Sequence, residues 1–115
     1  MHPDVAALTS HGGPYVIKLF DTKTWQFMGY LTAFDPDMRD PARNNLVTGF
    51  VDSSPDPRKA LRFATPGFAW ALRNMVSKVS PKREYGDRGP NRPLSAFTIQ
   101  IITFNEAMAG YKMQH

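Results

Sequence analysis

The sequence contains no cysteine. That excludes a disulfide framework, thiolate catalysis and cysteine-held metals, and it suits a reducing compartment. Long apolar runs are also missing: the longest covers only a few residues, far short of the ~20 a membrane-spanning helix needs. The first stretch, MHPDVAALTSHGGP, has neither the basic start nor the apolar centre of a secretory signal. The expectation is a soluble, cytoplasmic protein without a membrane partner.

Catalytic residue types are scarce. Histidine occurs only as His2, His11 and His115, all in terminal segments, and glutamate only as Glu84 and Glu106. Acid–base pairs, nucleophile–histidine pairs and zinc sites need such groups held on a rigid frame. The loop DPDMRD gathers Asp35, Asp37 and Asp40. It lacks the glycine and closing glutamate of a calcium loop, and Pro36 stiffens its spacing, so these read as turn-forming aspartates. HGGP and TPG do not follow strands as phosphate loops do. The chain is therefore expected to be no enzyme and to hold no metal or cofactor.

What is present is an ordinary globular composition, 42% hydrophobic and 21% charged over 115 residues. That suffices for one domain with a core of its own. Ten prolines and eight glycines predict long irregular connections. Charge is divided by sign along the chain: residues 1–57 carry a net −3 and residues 58–115 a net +7. Such a division suits an acidic or polyanionic partner, or two halves that neutralise each other across the fold.

Residues 1–14 read as a flexible N-terminal segment, 15–104 as one α+β domain with a long basic connector at 81–93, and 105–115 as a C-terminal tail or short helical turn. YVIKLF (15–20) and WQFMGYLTAF (25–34) are rich in β-branched and aromatic residues and flank a turn started by Asp21, which predicts a hairpin. Pro36 and Pro41 make the next stretch a loop. LVTGFV (46–51) is a third strand, and ALRF (60–63) a short extended piece. Thr65 and Pro66 form a helix start, with the helix running to about Val79 and stopped by Pro81. SAFTIQIITF (95–104) is the last strand, with Phe97, Ile99 and Ile101 on its core side. The order β-β-β-α-β predicts an antiparallel sheet of about four strands with one helix on one face. Strict alternation places Met28, Tyr30 and Phe34 opposite Phe27, Leu31 and Ala33. A second face that apolar is expected to be covered either by the chain's own terminal tails or by another subunit, as in a homodimer or larger homo-oligomer.

On a helical wheel, Phe68, Ala69, Ala71, Leu72, Met75, Val76 and Val79 form the core arc. Arg73, Asn74, Ser77 and Lys78 form the polar arc, with Trp70 near its centre. An indole there is either covered within its own chain or is a recognition anchor, with Arg73, Asn74, Ser77 and Lys78 around it. The connector PKREYGDRGPNRP (81–93) interleaves Lys82, Arg83, Arg88 and Arg92 with Tyr85, a pattern that suits an acidic surface or sequence-tolerant nucleic-acid contact.

The spaced pattern YV, GYLT, LVTG and ALRFATP before an alanine-containing helix resembles many small sheet-then-helix proteins of bacteria and their phages. Small cysteine-free domains of this kind are similar to accessory or inhibitor proteins of phages and mobile elements, including those that disable CRISPR effectors. The residues themselves point to a non-catalytic interaction module whose working surface is the outer helix face around Trp70 together with the 81–93 connector, and the resemblance implies a host protein or protein–nucleic-acid complex as its partner.

Overall fold

A computed structural model describes residues 1–83, 86 and 88–115. The main sheet is antiparallel and built from β1 (Tyr15–Asp21), β2 (Phe27–Asp35), β5 (Phe50–Ser54) and β6 (Phe97–Thr103), in the spatial order β5-β2-β1-β6. A small separate ribbon pairs β3 (Arg39–Asp40) with β4 (Leu46–Val47). Three helices complete the chain: α1 (Pro3–Leu8), α2 (Pro66–Arg73) and α3 (Phe104–Gln114). The α+β class and the antiparallel four-stranded sheet agree with expectation, and helices occupy both faces rather than one.

The main core lies on one face of the sheet. Ile17 and Leu19 of β1 and Leu31 and Phe34 of β2 meet Val5 of α1, Ala69 and Leu72 of α2, and Phe63 and Leu94 from the connecting segments. Phe97, Ile99 and Ile101 of β6 join this side, as their alternation requires. On the other face a smaller cluster sets Ala107 of α3 against Val16, Tyr30 and Ala60.

The expected alternation in β2 fails at two places. The register slips opposite Leu19 and Phe20, where Gly29 adopts φ 111°, and again between Leu31 and Ala33. A Cβ at Gly29 would lie 3.1 Å from the Cβ and Oγ of Ser53, so the bulge relies on glycine. Each extra residue turns the strand over. Phe27 and Tyr30 therefore share a face, their rings 5.3 Å apart, while Leu31 and Phe34 both enter the main core. The grouping of Met28, Tyr30 and Phe34 is thus broken up: Phe34 and Tyr30 are buried on opposite faces and Met28 is exposed.

The predicted third strand divides. Leu46 and Val47 pair with the small ribbon, Gly49 turns the chain at φ 73°, and Phe50–Ser54 alone enters the sheet. The β1–β2 turn is tied by Asp21, whose Oδ1 accepts the N–H groups of Lys23 and Thr24 at 2.8 and 2.9 Å. Trp25 ends that turn at φ 59°. This is the left-handed region, which costs a bulky residue on the order of 1–2 kcal/mol and where glycine or asparagine is usual.

The termini are built into the fold. Residues 1–14, expected as a flexible N-terminal segment, contain α1, which has Pro3 in its first turn and Val5 fully buried in the core. The expected C-terminal tail is α3. Thr103 caps it by accepting the N–H of Glu106 at 3.1 Å and donating its hydroxyl to that residue's carboxylate at 3.0 Å. The sequence TFNE carries that Thr-x-x-Glu capping signal.

Candidate interaction surface

Helix α2 starts where Thr65 and Pro66 predict, with Thr65 Oγ1 accepting the N–H of Phe68 at 3.3 Å. It ends at Arg73, not at Val79. Asn74 caps it, and residues beyond are drawn off by bonds that a continuing helix could not make. Ser77 donates its hydroxyl to Asp37 Oδ1 at 2.9 Å, the N–H of Lys78 reaches the same oxygen at 2.8 Å, and the N–H of Ser77 reaches the carbonyl of Asn91 at 2.9 Å. Ser77, assigned above to a partner-facing arc, is only 1% exposed and belongs to the interior. Lys78 remains at the surface but pairs with Asp4 at 2.7 Å.

The other three residues of that group stay together. Trp70 is 48% exposed on the solvent side of α2, with Ala69 and Leu72 buried beneath the helix. The guanidinium of Arg73 donates to Asn74 Oδ1 at 2.9 Å, and that of Arg92 donates to the Asn74 carbonyl at 3.1 Å. Arg92 comes from the far end of the connector, so the helix face and the connector, expected to work as one surface, meet at Asn74. Among the described residues neither guanidinium pairs with a carboxylate. Both carry positive charge at Asn74, one helical turn along α2 from Trp70, while held by neutral acceptors.

The connector is doubled back on itself at its base. Lys82 bridges Pro90, Arg83 N–H reaches Gly89, and Asn91 N–H reaches Pro81 at 2.9 Å. The Asn91 side chain then donates to the carbonyls of Val47 and Ser80 at 3.2 and 3.0 Å, fixing the connector to β4. Lys82 and Arg83 line a cavity of about 230 Å³ with Leu46, Thr48, Ser80 and Asn91. Arg88 is exposed. Tyr85, the expected aromatic contact, lies outside the described residues.

Asp37 is the centre of a polar latch. Besides Ser77 and Lys78, its Oδ2 lies 2.6 Å from His2 Nε2. Burial opposes its charge, but the hydrogen bonds from His2, Ser77, Lys78 and Val79 outweigh that and hold the carboxyl below its ordinary range. His2 is thus not loose, as its terminal position suggested. Its Nδ1 accepts the N–H of Asp4 at 3.1 Å and caps α1. A neutral ring that accepts at Nδ1 carries its proton at Nε2, facing Asp37.

That tautomer bears on chemistry. His2, Asp35 and Asp37 bring ligand-type atoms within 4.8 Å of one another. Coordination through Nε2 would move the proton to Nδ1, against the Asp4 N–H, and would break two bonds of the latch. Nor do Ser77, Asp37 and His2 form a nucleophile with its base. The Ser77 hydroxyl donates to the carboxylate, whereas a triad places the imidazole between serine and acid.

A second exposed group was not singled out in the sequence. On the face opposite α2, Lys18 Nζ stands 5.5 and 5.2 Å from the ring centres of Phe20 and Phe27. The Arg58 guanidinium lies 5.6 Å from the ring of Tyr111, and Arg58 holds the carboxyl of Asp56 down to about 2 through its hydrogen bonds. Only the bulge at Gly29 turns Phe27 to this side, which strict alternation conceals.

No family model matches the chain, and neither a curated protein nor a solved structure is significantly similar to it. Function is therefore argued from the surfaces themselves.

Proposed function

We propose that the chain is a non-catalytic interaction module whose working surface is the solvent side of α2 together with the base of the connector. The observation that carries this reading is the half-exposed indole of Trp70 one helical turn from Asn74, where two guanidiniums are held. Tryptophan and arginine dominate binding hot spots because each buries a large, stiff surface. Guanidiniums already fixed by hydrogen bonds lose little further freedom when they meet a carboxylate or phosphate. The partner class is an acidic protein surface or a protein–nucleic-acid complex presenting one. A phage or mobile-element inhibitor acting on such a host complex is the setting this reading implies.

Comparative capture tests it. Wild type, Trp70→Ala and Arg73→Ala are immobilised in equal amounts, exposed to the same native lysate, and the retained proteins are quantified. The reading expects a defined protein or complex to be held by wild type and lost with Trp70→Ala and with Arg73→Ala. Identical retention by all three contradicts it.

A further inference from the structure

The sheet face turned away from α1 and α2 is covered over only part of its area. α3 closes the end formed by Val16, Tyr30 and Ile102, where Ala107 is buried. The last turns of α3 (Gly110, Tyr111, Gln114) line a shallow cavity with Lys18, Phe27 and Tyr30, and Lys18 and Phe20 on this side are half-buried while Phe27 is open to solvent at its rim. Phe27 is 39% exposed and Trp25, at the hairpin tip, 68%. The Phe20 and Phe27 rings lie 6.1 Å apart and are tilted by 59°, so they do not stack on each other.

We propose that this open half-face binds single-stranded nucleic acid with little sequence preference. In this reading bases stack on Phe27 and Trp25, Phe20 backs Phe27 from below, and Lys18 contacts the phosphate chain. An aromatic group on the central strands of an antiparallel sheet, interleaved with a cation, is the arrangement that sequence-tolerant stacking needs, because every base offers a π-face. Trp25 adds an independent observation. Its indole projects into solvent from a backbone conformation unfavourable to it, φ 59°, and strain kept at an exposed aromatic marks a binding position.

Charge selects this occupant over a second copy of the chain. Lys18 is the charged side chain standing over the rings, and among the described residues it has no carboxylate partner. The neighbouring Asp56 is bound by Arg58, and Asp21 is turned into its own turn by the N–H groups of Lys23 and Thr24. A two-fold interface centred on Lys18 would bring the two copies' ammonium groups together, and one centred elsewhere on this face would still bury a lysine that has no carboxylate partner among the described residues. A polyanion relieves that charge.

The test is fluorescence anisotropy of a labelled oligothymidylate of about 15 nucleotides, titrated with the full chain at low salt. Wild type is expected to bind. Phe27→Leu, which keeps apolar bulk but removes the π-face, should weaken binding roughly tenfold, as should Trp25→Gly. Lys18→Gln should lower the slope of log affinity against log salt by about 0.7. Met38→Ala, an exposed apolar side chain elsewhere, should bind like wild type. Three results would each overturn the proposal. One is no binding at low salt, and another is binding insensitive to Phe27→Leu and Trp25→Gly. The third is a concentration-dependent dimer in sedimentation that Phe27→Ala abolishes.

Discussion

Ser77 donates its hydroxyl to the carboxylate of Asp37 at 2.9 Å across 40 positions of sequence. Through that oxygen and its neighbour, Asp37 joins the N-terminal helix, by way of His2, to the segment that leaves α2. Lys78 adds a more exposed tie to Asp4 of α1. One aspartate thus fixes both ends of the layer that covers the main core. Ser77→Ala leaves Asp37 one donor short in a buried setting and should cost about 1–2 kcal/mol. Asp37→Asn removes the charge that four donors converge on and should cost more, about 2–3 kcal/mol. Urea denaturation measures both, and a change below experimental error for Asp37→Asn would refute the latch.

The same latch predicts an acid sensitivity of definite sign. Asp37 ionises below its ordinary value of 3.8 in the folded chain. Its contribution is therefore complete above that value and lost as the pH falls through the lowered folded value. Wild type should lose stability below about pH 4 more steeply than Asp37→Asn, which has no proton to take up there. Parallel pH–stability curves would contradict this.

Trp25→Gly should stabilise the isolated protein. The substitution removes the left-handed penalty of a bulky residue at φ 59°, and the indole gives up little burial. Relief of about 1 kcal/mol is expected, somewhat offset by the greater freedom of glycine in the unfolded chain. Guanidinium denaturation reads the change directly. A loss of stability would mean that the indole makes favourable contacts within its own hairpin.

Gly49→Ala should do the reverse. A Cβ there would lie 2.5 Å from the Cβ of Pro93, and the backbone already sits at φ 73°. Neither partner can yield by a simple rotation, so a loss of about 2–4 kcal/mol is expected in thermal or chemical denaturation. An unchanged midpoint would show that β4, the turn and the Pro93 segment are not joined as described.

Much of this architecture could be read from local patterns because local patterns determine it. The hairpin around Asp21, the helix start at Thr65 and Pro66, and the alternation of Phe97, Ile99 and Ile101 all depend on near neighbours. The departures depend on distant ones. Strict period-two reading misplaces Phe27 because Gly29 bulges against Ser53 on the next strand. A helical wheel extends α2 to Val79 because Ser77 and Lys78 fit a helix, and nothing local says that Asp37 claims their donors. His2 resembled a loose end until Asp37 was brought beside it. α3 was within reach, since TFNE is a complete capping signal. For the proposed surface, Trp70 was placed by helical periodicity alone. The meeting of Arg73 and Arg92 at Asn74 needs the connector's return path, which no spacing encodes.

Trp70 can be followed by its own light. The chain has two tryptophans, so Trp25→Phe leaves Trp70 as the sole indole. Its emission should be that of a half-exposed ring, quenched by acrylamide to an intermediate degree, and protected once a partner covers it. Emission of a fully buried indole, inaccessible to quencher, would contradict the surface described.

The most direct measurement is a calorimetric titration of the captured partner into wild type and into Trp70→Ala, with a denaturation curve for each protein. The account predicts that Trp70→Ala unfolds as cooperatively as wild type while binding the partner at least ~2 kcal/mol more weakly. Equal affinity of the two proteins, or collapse of the fold on removing the indole, would contradict it.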